Sequence, residues 1–352
     1  MKKVLLALSA FVLVVALSGS ASEAAAKKWR IALSNDYAGN IWRQTMLNDW
    51  KAAAAEAKAL GLIEEAPDFT INDGSAAEQA AQIQNLILEG YDAIVIQAGS
   101  PTALNAAIRQ GIDAGIVMLC YENATTEKDA WNIIPSYHDM GLTQTDFIAK
   151  HFPSGGNLLE VRGIAGTTVN EDIHNGILES LKRNPNLKVV NEVYGNWTQS
   201  VAQQAVAGII PSLPNDIIAV VTQGGDGLGT VNAFQAAGRK IPMVIMGNRY
   251  EELEKWKELK SRPEGYTTMS VSGLPGISTI AFWTTLEVLG DPTSVPKELH
   301  VSVPVIYDDQ LDHFLEITPK GGVVTIRFPQ SWVKEFIANA KAGKPAPAAP
   351  SN

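Results

Sequence analysis

The chain has 352 residues, a single cysteine and a net charge of −9 at neutral pH. One cysteine excludes an intrachain disulfide, so packing alone holds the fold. An acidic balance argues against nucleic acid or anionic lipid as partner, because both need a basic patch. The length is large for one core and favours two domains, and 46% hydrophobic residues fit a globular protein.

In chain order, the first feature is an export signal. Lys2 and Lys3 precede an apolar run from Val4 to Leu17, and Ala24-Ala25-Ala26 fits a small-x-small cleavage site. The run is shorter than the roughly 20 residues that span a bilayer, and no cysteine follows it to carry a lipid. Residues 1–26 are therefore expected to be a signal peptide, cleaved on secretion, which leaves the mature chain at −10.

Beyond it, short β-type runs alternate with longer helical patterns. Strands are expected at Trp29–Ser34, Phe69–Asn72, Ala93–Gln97 and Ile116–Tyr121. A second set follows at Asn157–Val161, Val189–Val193, Ile217–Thr222, Met243–Met246 and Thr267–Val271. Several lack polar alternation, as strands buried on both faces of a parallel sheet do. Helices are expected at Gln44–Leu60, Ala76–Glu89 and Thr102–Asp113, stopped at Gly61, Gly90 and near Gly111. This alternation predicts a doubly wound α/β architecture, and the strand count is too high for one compact sheet. Trp131–His138 reads as a crossing between halves. A helix over Pro275–Gly290 and a strand over Leu299–Ile306 read as a return to the first half and a second crossing. Residues 342–352, rich in Ala, Pro and Ser, are expected to be disordered.

In open parallel sheets, ligands sit beyond the carboxyl ends of the strands. Those positions hold Ser34, Asn35, Asp36, Tyr37, Asn40, Trp42 and Arg43. Later strands contribute Glu122, Asn123, Trp197, Gln223, Asp226, Asn248 and Arg249. Amides, carboxylates and guanidinium groups suit adjacent hydroxyls, and flat rings cover the C–H face of a sugar. Single loop positions of this kind are usually just solvated. Gly224-Gly225-Asp226-Gly227-Leu228-Gly229 fits neither the dinucleotide nor the phosphate-loop pattern and reads as a permissive turn. The five histidines lack zinc-helix spacing, and Cys120 lies within a strand, so no metal, cofactor or nucleophile is expected.

With Gln82–Ile94, Ala114-Gly115-Ile116-Val117, Tyr121-Glu122, Asn184-Pro185, Ala236-Ala237-Gly238 and Met246-Gly247-Asn248 in order, the chain resembles the type I periplasmic solute-binding proteins. These are the ribose-binding-like sugar receptors of ABC importers. The resemblance implies two doubly wound parallel-sheet lobes joined by a three-strand hinge that closes on a ligand. Lobe 1 would comprise residues 27–134 plus about 272–300, and lobe 2 residues 135–271 plus about 301–341. It implies sugar contacts from Asn40, Trp42, Glu122, Trp197 and Asn248. Asn123 stands where that family has Arg, and Glu171 stands at another ligand Arg, while Arg43 and Arg249 are new. That makes ribose itself doubtful. A monomeric periplasmic receptor for a monosaccharide or sugar alcohol, with ABC importer membrane subunits as partners, is the expectation. The alternative is a secreted sugar-modifying enzyme on the same fold, in which Glu122 and Asp226 would form a carboxylate pair. A transcription-factor effector domain shares the fold, but an export signal argues against it.

Overall fold

A computed structural model describes residues 27–71 and 75–350. The expected signal peptide and residues 351–352 lie outside the described part.

The first lobe begins with β1 (Trp29–Asn35), α1 (Ile41–Ala59), β2 (Ile63–Glu65) and β3 (Asp68–Thr70). It continues with α2 (Ala76–Leu88), β4 (Ala93–Gln97), α3 (Asn105–Asp113), β5 (Val117–Tyr121) and β6 (Trp131–Pro135). The second lobe opens with α4 (Tyr137–His151), β7 (Gly156–Arg162), α5 (Thr168–Arg183) and β8 (Leu187–Tyr194). Then come α6 (Gln199–Ile209), β9 (Ile217–Thr222), α7 (Gly227–Ala236), β10 (Met243–Val244), α8 (Tyr250–Lys260) and β11 (Ser270–Val271). The last part is α9 (Ile277–Gly290), β12 (Glu298–Val301), β13 (Val305–Ile306), α10 (Leu311–Ile317) and α11 (Gln330–Lys341).

The first sheet runs β12-β6-β5-β4-β1-β2, with β3 also beside β1, and the second runs β10-β9-β7-β8. All pairings within both sheets are parallel. Alternate residues of one strand serve opposite faces. On β1, Ile31 and Leu33 pack with Met46 and Trp50 of α1 and with Phe282 and Trp283 of α9. Ala32 packs instead with Ile83 and Leu86 of α2 and Ile108 of α3. Helix α9 is apolar all round because it lies between the sheet, α1 and α11, and Trp50, Phe282 and Trp283 meet edge to face.

Helix starts follow side-chain caps. Asn40 Oδ1 accepts from Arg43 N at 2.9 Å for α1, and Ser75 Oγ accepts from Glu78 N for α2. Gly61 and Gly90 end α1 and α2 at positive φ as expected. The third stop is Gly115 and not the expected Gly111, which lies inside α3 against the Met118 sulfur.

Four connections join the lobes. Three match the expected hinge: Pro135 to Tyr137, Val271 to Ile277, and Val301 to Val305. The strand expected over Leu299–Ile306 is split by the third, so β12 pairs with β6 while β13 pairs antiparallel with β11. The fourth departs from expectation. Residues 323–328 lead back to lobe 1, so α11 packs on α9 and not within lobe 2. Buried Asp49 on α1 ties this return, accepting from Thr325 Oγ1 at 2.6 Å and Arg327 Nε at 2.7 Å. Residues 342–350, expected to be disordered, fold over α11: Trp332 Nε1 donates to Ala348 O and Asn339 Nδ2 to Pro345 O.

In lobe 2, α4 and α5 cross at contact distance. A Cβ on Gly141 would strike the Ile173 carbonyl, and one on Gly176 the His138 carbonyl. Backbone cannot yield as a side chain can, so the helices would have to part. Gly176→Ala is expected to cost about 1–3 kcal/mol or more, read as a lowered denaturant midpoint at unchanged slope. An unchanged midpoint would show that the helices separate freely.

Candidate functional site

The carboxyl end of the first sheet carries one contiguous polar group. Asn35 and Gln97 are direct neighbours in the β1–β4 register, on the face that packs against α1 and α9. Arg43, in the first turn of α1, reaches over them. Its Nη1 lies 3.6 Å from Asp36 Oδ1 and 4.0 Å from Glu122 Oε2. Glu122 ends β5 with a left-handed φ of 64°, which turns its carboxylate toward Gln97 Nε2, 3.4 Å away. From the opposite lobe, Tyr137 OH at the start of α4 donates to Glu122 Oε1 at 2.7 Å.

Burial raises the Asp36 carboxyl above its ordinary range, although Arg43 and nearby backbone amides oppose this. Burial also opposes the charge on Arg43, but Asp36 and Glu122 outweigh it and keep the guanidinium cationic. Burial first, then Glu122, drives Tyr137 well above the usual phenol value, so the phenol keeps its proton and donates it.

Two side chains from opposite lobes meet on one carbonyl. Gly273 O, in the second connection, accepts from Trp42 Nε1 at 2.9 Å and from Asn248 Nδ2 at 3.2 Å. A Cβ on Gly273 would lie 2.5 Å from Tyr137 OH, so the junction admits no side chain there. Beside Asn248, Arg249 Nη2 donates to Trp197 O at 2.8 Å and Nη1 to Gly225 O at 3.2 Å. Trp197, with φ 53°, lays its indole directly on Gly163.

Asn35, Asp36, Trp42, Arg43, Glu122, Asn248, Arg249 and Trp197 thus form a chain of contacts across the two lobes. Asn40 borders them, with its carbonyl oxygen committed to the α1 cap. Tyr37 is exposed at the rim, and Asn123 Nδ2 holds Ala98 O at 3.0 Å. Four expected residues stand apart. Ser34 falls on the other face of β1, against Gln82 and Gln79 of α2, because strand side chains alternate. Gln223 is spent on scaffolding, accepting from Gly163 N and donating to Asn170 O. Glu171 accepts from Arg162 Nη2 at 3.0 Å and belongs to an ion network with Glu192 at the β8 edge. Asp226 is fully buried against Gly195, beneath the loop that carries Trp197. Gln97, Tyr137 and Gly273 belong to the same group but were not named from the sequence. Gln97 ends β4, so the strand-end rule reaches it, whereas the other two come from the connections, which carry no periodic pattern.

Neither carboxylate oxygen of Asp226 makes a well-formed hydrogen bond among the described residues, with the Thr198 backbone N–H close by. Burial drives its carboxyl well above the usual range, Glu252 adds to this and Arg249 opposes it. The folded chain therefore holds this proton more tightly than the unfolded chain does. Its contribution makes stability fall as pH rises above about 4, the ordinary Asp value. Asp226→Asn is expected to melt higher than the parent at pH 7.5, the gain shrinking as pH approaches 4. A variant that melts lower at pH 7.5 would mean that the carboxylate is stabilising.

A buried site that bridges two α/β lobes is the arrangement of binding proteins, and comparison with known proteins agrees. The family described as periplasmic binding protein domain matches residues 31–267. The crystal structure of an ABC transporter solute binding protein from Thermobispora bispora superposes with a TM-score of 0.83 at 30% identity, covering 92% of this chain and 99% of that one. The ribose import binding protein of Salmonella typhimurium is 26% identical over 68% of this chain and 78% of its own. The xylitol-binding protein of Mycolicibacterium smegmatis is 28% identical over 49% of this chain and half of its own length. Among the described residues no helix is long and apolar enough to cross a membrane. The chain belongs to the periplasmic binding protein family.

Proposed function

We propose that this protein, exported and freed of residues 1–26, captures a monosaccharide or sugar alcohol between its lobes and delivers it to an ABC importer as a monomer. One observation carries the reading. Asn35 Oδ1, Asp36 Oδ1, Gln97 Oε1 and Arg43 Nη1 are buried in one contiguous group, and none is hydrogen-bonded among the described residues, although Arg43 Nη1 and Asp36 Oδ1 face each other as an ion pair at 3.6 Å. Buried polar atoms without partners cost about 1–3 kcal/mol each, so such a set is stable in a closed form only when a ligand supplies the missing bonds. A polyol, whose every hydroxyl donates and accepts, can supply them, and the Trp42 ring lies beside Arg43 in the same group. Names of relatives in the family, xylitol- and ribose-binding among them, point the same way.

Tyr137 couples this capture to closure by its bond across to Glu122, while Trp42 and Asn248 tie the two walls to the shared Gly273 carbonyl. A ligand that touches both walls binds the closed form preferentially, and that difference in affinity is what shifts the population. The polar groups serve as a recognition surface and not as catalysts. Glu122 is engaged by Tyr137, and Asp226 lies behind the wall and not opposite it, so the two do not make a hydrolytic pair.

A thermal-shift screen of the mature chain with D-ribose, D-xylose, xylitol, D-galactose, D-glucose and myo-inositol is expected to show a higher melting temperature with at least one of them. Nuclear magnetic resonance should recover that compound unchanged. Arg43→Ala, with its own melting retained, is expected to bind roughly ten- to a hundredfold more weakly, as loss of a charged hydrogen bond implies. Parental affinity in that variant would take Arg43 out of the site, and chemical conversion of the sugar would favour the enzyme.

A further inference from the structure

The unpartnered atoms on the first-lobe wall are unequal in kind. Three are acceptors, Asn35 Oδ1, Asp36 Oδ1 and Gln97 Oε1, and one is a donor, Arg43 Nη1. The two amides cannot be turned over to change the count. Asn35 Nδ2 donates to Tyr37 O at 2.8 Å and Thr70 Oγ1 at 3.1 Å, and Gln97 Nε2 faces Glu122 Oε2. Either rotation would set an oxygen against an oxygen, so the unpartnered atom of each amide is an acceptor. Since Asn35 and Gln97 are adjacent in register and both fully buried, their oxygens present a pair of sites that must receive hydrogens.

Charge points the same way. Asp36 and Glu122 stand against Arg43 alone, so the wall carries a formal excess of one negative charge. Arg43 is already flanked by both carboxylates, yet at 3.6 and 4.0 Å it is hydrogen-bonded to neither. Its unpartnered Nη1 can donate to one ligand oxygen while the carboxylates neutralise the cation. The second-lobe wall adds no positive excess, because Arg249 there stands beside the buried Glu252, which accepts from Gly227 N and Gly247 N. An anionic ligand group would bring further acceptors and a like charge into a buried site already rich in both.

We propose that the cleft selects its ligand by the hydrogens it donates, taking a polyol that is neutral or bears a protonated amine and refusing sugar acids and sugar phosphates. This inference rests on the sugar-capture reading above. It is tested on the mature chain by titration calorimetry with matched compounds. These are D-glucose, D-glucosamine and D-glucuronate; D-galactose, D-galactosamine and D-galacturonate; D-ribose and D-ribose 5-phosphate; and xylitol and myo-inositol. Where a neutral compound binds, its amino counterpart is expected to bind no more weakly, and its acid or phosphate at least a hundredfold more weakly. Asp36→Asn is expected to weaken the amine at least tenfold more than the neutral parent. A uronate or ribose 5-phosphate that matches its neutral counterpart, or an amine that is lost, overturns the selection rule while sugar capture stands. Equal loss of amine and parent in Asp36→Asn overturns the role given to that carboxylate. A panel in which nothing binds overturns sugar capture itself.

Discussion

The Gly273 carbonyl takes one hydrogen bond from each lobe, from Trp42 on α1 and from Asn248 beyond β10, and so ties both walls to the second connection. The bare glycine there leaves Tyr137 the space from which it reaches Glu122. Left-handed backbone at Glu122 turns its carboxylate toward Gln97 and Tyr137, while that at Asn196 and Trp197 folds the Trp197 indole back onto Gly163 of its own lobe.

Much of the fold was legible because it rests on periodicity. Uninterrupted runs such as Ala93–Gln97 announce strands covered on both faces, and they are covered on both faces. The short β2 was not foreseen, since three residues bear no period. Lobe membership of the last segment was also misread. Helix α11 shows an ordinary apolar face, and nothing local says which lobe will cover it. The answer lies in the single carboxylate of Asp49, whose partners are some 276–278 residues away.

The site was legible to the extent that strand ends determine it. Asn35, Asp36, Glu122, Asn248 and Arg249 were named as candidates by that rule, and Arg43 by its place in the loop that follows; all six lie in the chain of contacts across the lobes. The same rule also admitted Ser34, whose side chain lies on the wrong face, and Gln223 and Asp226, which are consumed beneath the surface. Sequence order says where a strand stops. It does not say whether the polar group there meets the solvent, a neighbouring loop or a helix, because that depends on packing by residues far along the chain.

The return of residues 323–350 to lobe 1 has a practical side. Lys27 pairs with Asp92 at the base of the first sheet, and Ala348 rests on Trp332 above α9, so both ends of the described chain sit on the same half of the molecule. A surface tether or a dye fixed at residue 27 or 350 therefore sits on that half alone, and a second dye on α4 or α8 would make the distance between the halves directly readable.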